Sequence, residues 1–117
     1  MIMAKKIAVI GSTGSIGVNT LRVVETHPEE FEVKVLTAGR NVELLAEQAE
    51  RFRPALVCIE SAAGARSLRS KLPKSVKVVW GEDGLIEASV HPETELALFS
   101  VVGGRGLKPL VAAIRAR

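Results

Sequence analysis

Three glycines spaced three residues apart, Gly11, Gly14 and Gly17, separate a strand-like segment from a helix-like segment. The four residues before them, Ile7–Ile10, are all apolar, which is typical of a central strand covered by helices on both faces. Because glycine destabilises the interior of helices and strands, its repeated use indicates that side chains cannot be accommodated along the backbone at this corner. A strand, a glycine-rich corner and a helix in this order are typical of the first part of a β-α-β unit.

The rest of the chain alternates short β-rich runs with helical patterns, as parallel α/β sheets do. The predicted strands are Ile7–Ile10, Phe31–Ala38, Ala55–Ile59, Val76–Trp80 and Leu96–Val102. The predicted helices are Ser15–Thr26, Val42–Arg53, Ala62–Leu72, a short one over Gly84–Ser89, and Leu107–Arg115. Asn41 and Ser61 stand where the second and third helices need a side-chain acceptor. The pattern predicts an α/β fold, a Rossmann-like doubly wound parallel sheet with helices on both faces.

Composition limits the classes of function that this chain can have. Its 117 residues suit one domain, and 47% apolar with 25% charged residues is typical of a soluble globular protein. The net charge of +3 is spread among acidic residues and only four aromatic residues are present, which disfavours a nucleic-acid partner. No apolar run is long enough for a membrane span, so we expect no membrane partner and a cytoplasmic location.

The last helical pattern, in "AAIRAR", has no glycine cap, no following proline and no return strand. A doubly wound sheet normally continues beyond such a helix. We therefore expect residues 1–117 to be a single domain of a longer protein.

The glycine corner has the chemistry of a phosphate site. A helix that begins directly after a strand has unpaired amide hydrogens and partial positive charge at its first turn. Gly11 would form the tight turn, Gly14 would let a phosphate approach, and Gly17 would let the helix pack on the sheet. The hydroxyls of Thr13 and Ser15 could bind phosphate oxygens. A merely tight turn is the alternative.

A nucleotide-triphosphatase loop does not fit this corner. Val18 and Asn19 occupy the positions where such a loop needs lysine followed by serine or threonine. The corner instead predicts dinucleotide binding.

The end of the second strand indicates which dinucleotide is bound. An NAD-specific protein places an acidic residue there, but this chain has Gly39, Arg40 and Asn41. Arg40 could bind a 2′-phosphate through two hydrogen bonds, Gly39 would allow close approach, and Asn41 could both cap the helix and bind the phosphate. The prediction is NADPH rather than NADH. An exposed arginine on an ordinary turn is the alternative.

A third glycine-rich segment, "SVVGGRGL", follows the last predicted strand. Gly103 in this segment is a candidate contact for the nicotinamide half of the cofactor, although an ordinary turn is the alternative. His27 is expected to lie at a helix C-terminus, His91 in a loop, and Cys58 in the core rather than at a reactive site. No catalytic residue and no metal ligand is predicted in this chain.

The segments "KKIAVIGSTGSIGVNTL", "VLTAGRN", "FRPALVCIE" and "GL.P...AIRA" together resemble the N-terminal domain of the 1-deoxy-D-xylulose 5-phosphate reductoisomerase family. The resemblance implies an NADPH-dependent oxidoreductase that makes 2-C-methyl-D-erythritol 4-phosphate in the non-mevalonate route to isoprenoids. It also implies a homodimer with a divalent metal, Mg or Mn. The metal ligands and the residues that bind the sugar phosphate would lie in parts of the family's proteins beyond this chain, so the chain alone is expected to be inactive.

The resemblance also implies roles for individual residues. The pyrophosphate contacts would be Thr13, Gly14, Ser15 and Ile16, and the 2′-phosphate contacts would be residues 39–41. The family often has Gly-Ala-Ala-Gly where this chain has Gly-Gly-Arg-Gly at residues 103–106. Two alternatives remain at this point: a freestanding NADP-binding regulatory module, and the first domain of another NADP-dependent reductase such as a semialdehyde dehydrogenase.

Overall fold

The structure, a computed structural model, describes residues 4–99 of the chain. Its strands are β1 (Lys5–Ile10), β2 (Phe31–Thr37), β3 (Leu56–Ile59), β4 (Lys77–Trp80) and β5 (Leu96–Phe99). Its helices are α1 (Ser15–Glu25), α2 (Val42–Phe52), α3 (Ala62–Lys71) and α4 (Gly81–Ser89). The predicted helix Leu107–Arg115, the last residues of the predicted fifth strand and Gly103 lie outside the described residues.

The described strands form one parallel sheet in the order β4-β3-β2-β1-β5. The chain builds outward from β1 to β4 and then crosses back through α4, so that β5 pairs with the opposite edge of β1. The strand order therefore reverses at β1. Ligands of such sheets bind outside the carboxyl ends of the strands at this reversal, which is where the glycine corner lies.

Helices cover both faces of the sheet, which confirms the predicted doubly wound α/β fold. On one face, α1, α2 and α3 pack against the first apolar cluster, whose largest fully buried members include Ile7, Leu36, Leu45 and Leu68. On the other face, α4 crosses β1 to β4 over a second cluster; its buried members are Ala8, Ile10, Val35, Leu56, Cys58 and Ala88. The central strand β1 contributes to both clusters, as its uninterrupted apolar run predicted.

Two of the four described helix starts, those of α2 and α3, follow local sequence signals. Asn41 Oδ1 accepts a hydrogen bond from the amide of Leu44 at 3.1 Å, and Ser61 Oγ accepts one from Gly64 at 3.0 Å, so both predicted caps are confirmed. The short fourth helix was predicted from Gly84 but begins at Gly81. Gly81 has a φ of 76°, which lets the chain turn directly from β4 into α4.

The remaining single residues behave as their positions predicted. Cys58 is buried in the second cluster, and burial raises the pKa of its thiol to about 12, so the thiol stays protonated and unreactive at neutral pH. His27 follows the end of α1, with Nδ1 2.9 Å from the carbonyl of Val23, and His91 lies in the loop before β5. Among residues 4–99, no helix is long and apolar enough to span a membrane.

Candidate functional site

Two loops meet at the carboxyl end of the sheet. We call residues 11–17, the loop after β1 together with the first turn of α1, the glycine corner, and residues 39–41, between β2 and α2, the arginine turn. Nine of the ten predicted site residues lie in these loops: Gly11, Thr13, Gly14, Ser15, Ile16, Gly17, Gly39, Arg40 and Asn41. The tenth, Gly103, lies outside the described residues. The two loops are neighbours because Ile10 and Thr37 pair at the ends of β1 and β2.

Two glycines of the corner are required by the fold itself. Gly11 has a φ of 86°, a conformation that other residues rarely adopt. A Cβ on Gly17 would lie 2.1 Å from the carbonyl oxygen of Gly11 and 2.6 Å from the Cα of Ser12. The first turn of α1 is therefore in direct contact with the backbone that leaves β1.

Gly14 is different, because the fold has room for a side chain there. The nearest atom to a Cβ on Gly14 would be the carbonyl oxygen of Gly11 at 3.8 Å, an ordinary van der Waals distance. Its φ of −76° and ψ of 170° are also open to other residues. Nothing in the described part of the chain requires glycine at this exposed position, so an approaching ligand is the best physical reason for it.

The N-terminus of α1 is the one helix start among residues 4–99 that lacks both a side-chain cap and an acidic residue in its first turn. The start of α2 has Asn41 and Glu43, that of α3 has Ser61, and that of α4 has Glu82 and Asp83. Because no cap and no acidic first-turn residue among residues 4–99 offsets the partial positive charge at the start of α1, an anion such as a phosphate would be stabilised there. Ser15 and Ile16 are exposed beside this helix end.

A buried polar network holds the glycine corner to the rest of the sheet, and the sequence analysis missed it. The amides of Gly11 and Ser12 donate to the carbonyl of Thr37 at 3.1 and 2.7 Å, and Gly11 also donates to Thr37 Oγ1 at 2.9 Å. From α2, Gln48 exchanges two hydrogen bonds with Ser12. A signal existed in the sequence, since Gln48 is three residues after Leu45 and next to Ala49 on the apolar stripe of α2.

The arginine turn is more open than the corner. The side chain of Arg40 is 92% exposed, and its Nε lies 3.7 Å from Glu60 Oε2. The turn itself is fixed by the cap on Asn41 and by a 3.0 Å hydrogen bond from the amide of Glu60 to the carbonyl of Gly39. The guanidinium can therefore reach outward from a defined backbone.

Glu60 is a second residue that the sequence analysis missed. The end of β2 has no acidic residue, as the sequence indicated, but Glu60 follows β3 and comes to the arginine turn from the neighbouring strand. Strand adjacency could have revealed it, because parallel neighbours end at the same edge of the sheet.

Comparisons with known proteins agree with this geometry. Residues 7–117 match the sequence profile of the family 1-deoxy-D-xylulose 5-phosphate reductoisomerase. The chain belongs to this family. Relatives with the same name include proteins from Symbiobacterium thermophilum, 50% identical over 97% of this chain, and Chloroherpeton thalassium, 49% identical over 96% of it. The chain spans 31% and 29% of the lengths of these two reductoisomerases.

Solved reductoisomerase structures have the same fold. The Zymomonas mobilis enzyme in complex with NADPH superposes with a TM-score of 0.90 at 34% identity, over 97% of this chain and 30% of that one. A reductoisomerase in complex with NADPH, fosmidomycin and magnesium gives a TM-score of 0.90 at 29% identity, over 96% of this chain and 28% of that one. The Rossmann-like interpretation of the sequence is thereby confirmed.

Metal ligation is a separate question from nucleotide binding. Among residues 4–99, no group of three or more histidine, cysteine, aspartate or glutamate side chains is arranged to hold a metal ion. The described residues fit a dinucleotide phosphate at the corner, and they do not form a site for the magnesium of the solved reductoisomerase complexes.

Proposed function

We propose that this chain is the NADPH-binding domain of a 1-deoxy-D-xylulose 5-phosphate reductoisomerase. The whole enzyme would convert 1-deoxy-D-xylulose 5-phosphate to 2-C-methyl-D-erythritol 4-phosphate in non-mevalonate isoprenoid biosynthesis. The proposal rests on the N-terminus of α1, whose partial positive charge has no cap or acidic first-turn residue beside it among residues 4–99. This helix end follows Gly14, which leaves room for a ligand, and it lies where the strand order reverses. Membership of the family disfavours the two alternatives, a regulatory module and a semialdehyde dehydrogenase.

In this proposal the glycine corner binds the pyrophosphate. The amides at the start of α1, with the hydroxyls of Thr13 and Ser15, would donate to its oxygens. Gly14 would leave space for the phosphate, and the exposed side chain of Ile16 would cover part of the dinucleotide. When bound, NADPH supplies a hydride.

The arginine turn would bind the other end of the cofactor. Arg40 is exposed and not buried against protein, so its guanidinium can make two charge-assisted hydrogen bonds to a 2′-phosphate. Asn41 uses Oδ1 for the cap of α2, which leaves its amide group to donate. Gly103 would contact the nicotinamide half.

Other parts of the whole enzyme would supply the rest of its activity. We propose that a divalent metal, Mg or Mn, and the sugar phosphate are held outside residues 4–99, because the described residues show no metal cluster. Residues 1–117 would be one domain of a cytoplasmic homodimer with no nucleic-acid or membrane partner. The chain alone would bind NADPH without turning over substrate.

Calorimetric titration of the 117-residue chain with NADPH and with NADH tests this function. We expect NADPH to bind at least tenfold more tightly, since only NADPH has the charged group that Arg40 would bind, a difference of about 1.4 kcal/mol or more. Absence of binding by either cofactor would contradict the proposal. Equal affinity for NADPH and NADH would still agree with pyrophosphate binding at the glycine corner, but it would contradict recognition of the 2′-phosphate by Arg40.

A further inference from the structure

We propose that Gln48, which lies on α2 and outside both loops, is a positioning residue for the pyrophosphate subsite. The inference rests on the proposed function, since it assigns how that site is held in its binding shape. Gln48 would act through the backbone of Ser12 and need not contact the cofactor.

The geometry of the pair is reciprocal. Gln48 Nε2 donates to the carbonyl oxygen of Ser12 at 2.9 Å, and Ser12 Oγ donates to Gln48 Oε1 at 2.7 Å. Both residues are buried, with exposures of 8% for Gln48 and 0% for Ser12. Ser12 Oγ also lies 3.2 Å from the carbonyl of Thr37, so the three residues join α2, the corner and β2.

The bond from Gln48 fixes the direction of the next amide. The described chain has no cis peptide bond, and in a trans peptide the carbonyl and the following N–H point in opposite directions. Because Gln48 holds the carbonyl of Ser12 toward α2, the N–H of Thr13 must point away from α2. No hydrogen bond from this N–H to another residue occurs within residues 4–99, so it is available to a phosphate oxygen.

Glutamine is the residue that this position needs. A shorter amide would not span the distance from α2, and an apolar residue would leave the buried carbonyl of Ser12 without its donor. Glutamate keeps the length and can accept from Ser12 Oγ, but an ionised carboxylate cannot donate to the carbonyl. The neighbouring buried positions of α2, at Leu45, Ala46 and Ala49, are apolar, so packing alone does not explain a polar side chain here.

The test compares the original chain with Gln48→Met, Gln48→Glu and a control, Ser89→Ala. Methionine keeps the volume and removes both hydrogen bonds, whereas glutamate removes only the donor. Ser89 is also buried and hydrogen-bonded, to the carbonyl of Leu85, but it lies on α4 across the sheet. Its replacement therefore destabilises the fold without touching the corner.

Two measurements are made at a temperature where every variant is folded. Titration gives the dissociation constants of NADPH and NADH, and hydrogen exchange followed by NMR gives the opening of the Ser12 amide in the cofactor-free chain. For both Gln48 variants we expect both dissociation constants to rise about tenfold, with the NADPH to NADH ratio unchanged within about twofold. Exchange of the Ser12 amide should be faster, while amides of α4 keep their rates. Ser89→Ala should leave both dissociation constants unchanged.

The outcomes distinguish failure of the role of Gln48 from failure of the proposed NADPH-binding function. Binding by the Gln48 variants that equals the original, despite lower thermal stability, would show a structural role only and overturn the inference. Unchanged exchange at Ser12 would overturn it as well, whether or not the chain binds cofactor. Failure of the original chain to bind either cofactor would contradict the proposed function, and the exchange rates would still decide whether Gln48 holds the corner.

Discussion

The glycine corner and the arginine turn lie side by side at the same edge of the sheet, but they are built differently. At the corner, Ser12 is fully buried and is held by partners on both β2 and α2. At the turn, the side chain of Arg40 is almost fully exposed and lies near one acidic side chain, Glu60. A fixed backbone thus lies beside an exposed charged side chain.

This difference corresponds to what each loop would have to recognise. A pyrophosphate is common to NADPH and NADH, so a rigid set of amides can bind both cofactors at the corner. The 2′-phosphate is what distinguishes the two, and an exposed guanidinium can bind it without any change in the fold. Changes at the corner should therefore affect folding or both cofactors, and changes at the turn should affect one cofactor.

Replacing Gly17 by alanine should have the largest effect. Its Cβ would lie 2.1 Å from the carbonyl oxygen of Gly11, so the backbone of α1 or of Gly11 and Ser12 has to move. We expect the free energy of unfolding to fall by about 3 kcal/mol or more, with loss of binding of both cofactors. Urea denaturation and titration measure the two effects.

Gly64→Ala is the control for this change. Gly64 is buried in α3, but the nearest atoms to its added Cβ would be side-chain atoms of Ile59 and Ser61 at 3.2 Å, rather than backbone atoms at 2.1 to 2.8 Å as at Gly17. It should lose less stability than Gly17→Ala and keep cofactor binding. A Gly17→Ala chain as stable as the original would contradict the contact between α1 and the corner.

Arg40→Ala should have the next largest effect, and on NADPH alone. Loss of a charged hydrogen-bonding partner should weaken NADPH binding by about 1.5–3 kcal/mol, or roughly 10- to 150-fold. Binding of NADH and the urea midpoint should be nearly unchanged, because the side chain is exposed. Equal losses for both cofactors in the titration would show that Arg40 does not recognise the 2′-phosphate.

Gly14→Ala should weaken cofactor binding while changing the stability of the fold only slightly. The fold has room for the methyl group, and because alanine is a poorer N-cap than glycine we expect a loss of stability of about 1 kcal/mol or less. We expect binding of both cofactors to weaken about tenfold, since the methyl group would stand where the phosphate approaches. Unchanged affinity in the same titration would remove the argument that Gly14 serves the ligand.

Glu60→Gln should have the smallest effect, and it should improve binding. Glu60 Oε2 lies 3.7 Å from Arg40 Nε, so its negative charge competes with a 2′-phosphate for the guanidinium. We expect NADPH to bind about threefold more tightly at low salt, with less effect at high salt and none on NADH. Weaker NADPH binding would instead show that Glu60 holds Arg40 in its binding orientation.

Most of the fold and the candidate loops could be predicted from the sequence, because they depend on local patterns. The alternation of apolar runs predicted the strands, and Asn41 and Ser61 predicted helix starts by their own hydrogen-bonding chemistry. The start of α4 was predicted too late because the positive φ of Gly81 is a property of the folded turn.

Residues that act across the sheet were harder to predict. Gln48 and Ser12 are 36 residues apart, and Glu60 is 20 residues after Arg40. Their contacts depend on which strands are neighbours and on how α2 is rotated, and neither is encoded in a short segment. The polar residue on the apolar stripe of α2 was the one local sign of the network.

The burial of Ser12 has a consequence for the kinetics of cofactor release. The corner is ordered when the chain folds, so a nucleotide does not have to bear that entropy cost, about 1–2 kcal/mol for each backbone residue that becomes fixed. The same arrangement makes the corner depend on α2, because Gln48 leaves Ser12 whenever that helix detaches from the sheet. Each opening of α2 would therefore release the corner from its fixed shape, and it would give a bound dinucleotide a route of dissociation that begins in a helix it does not touch.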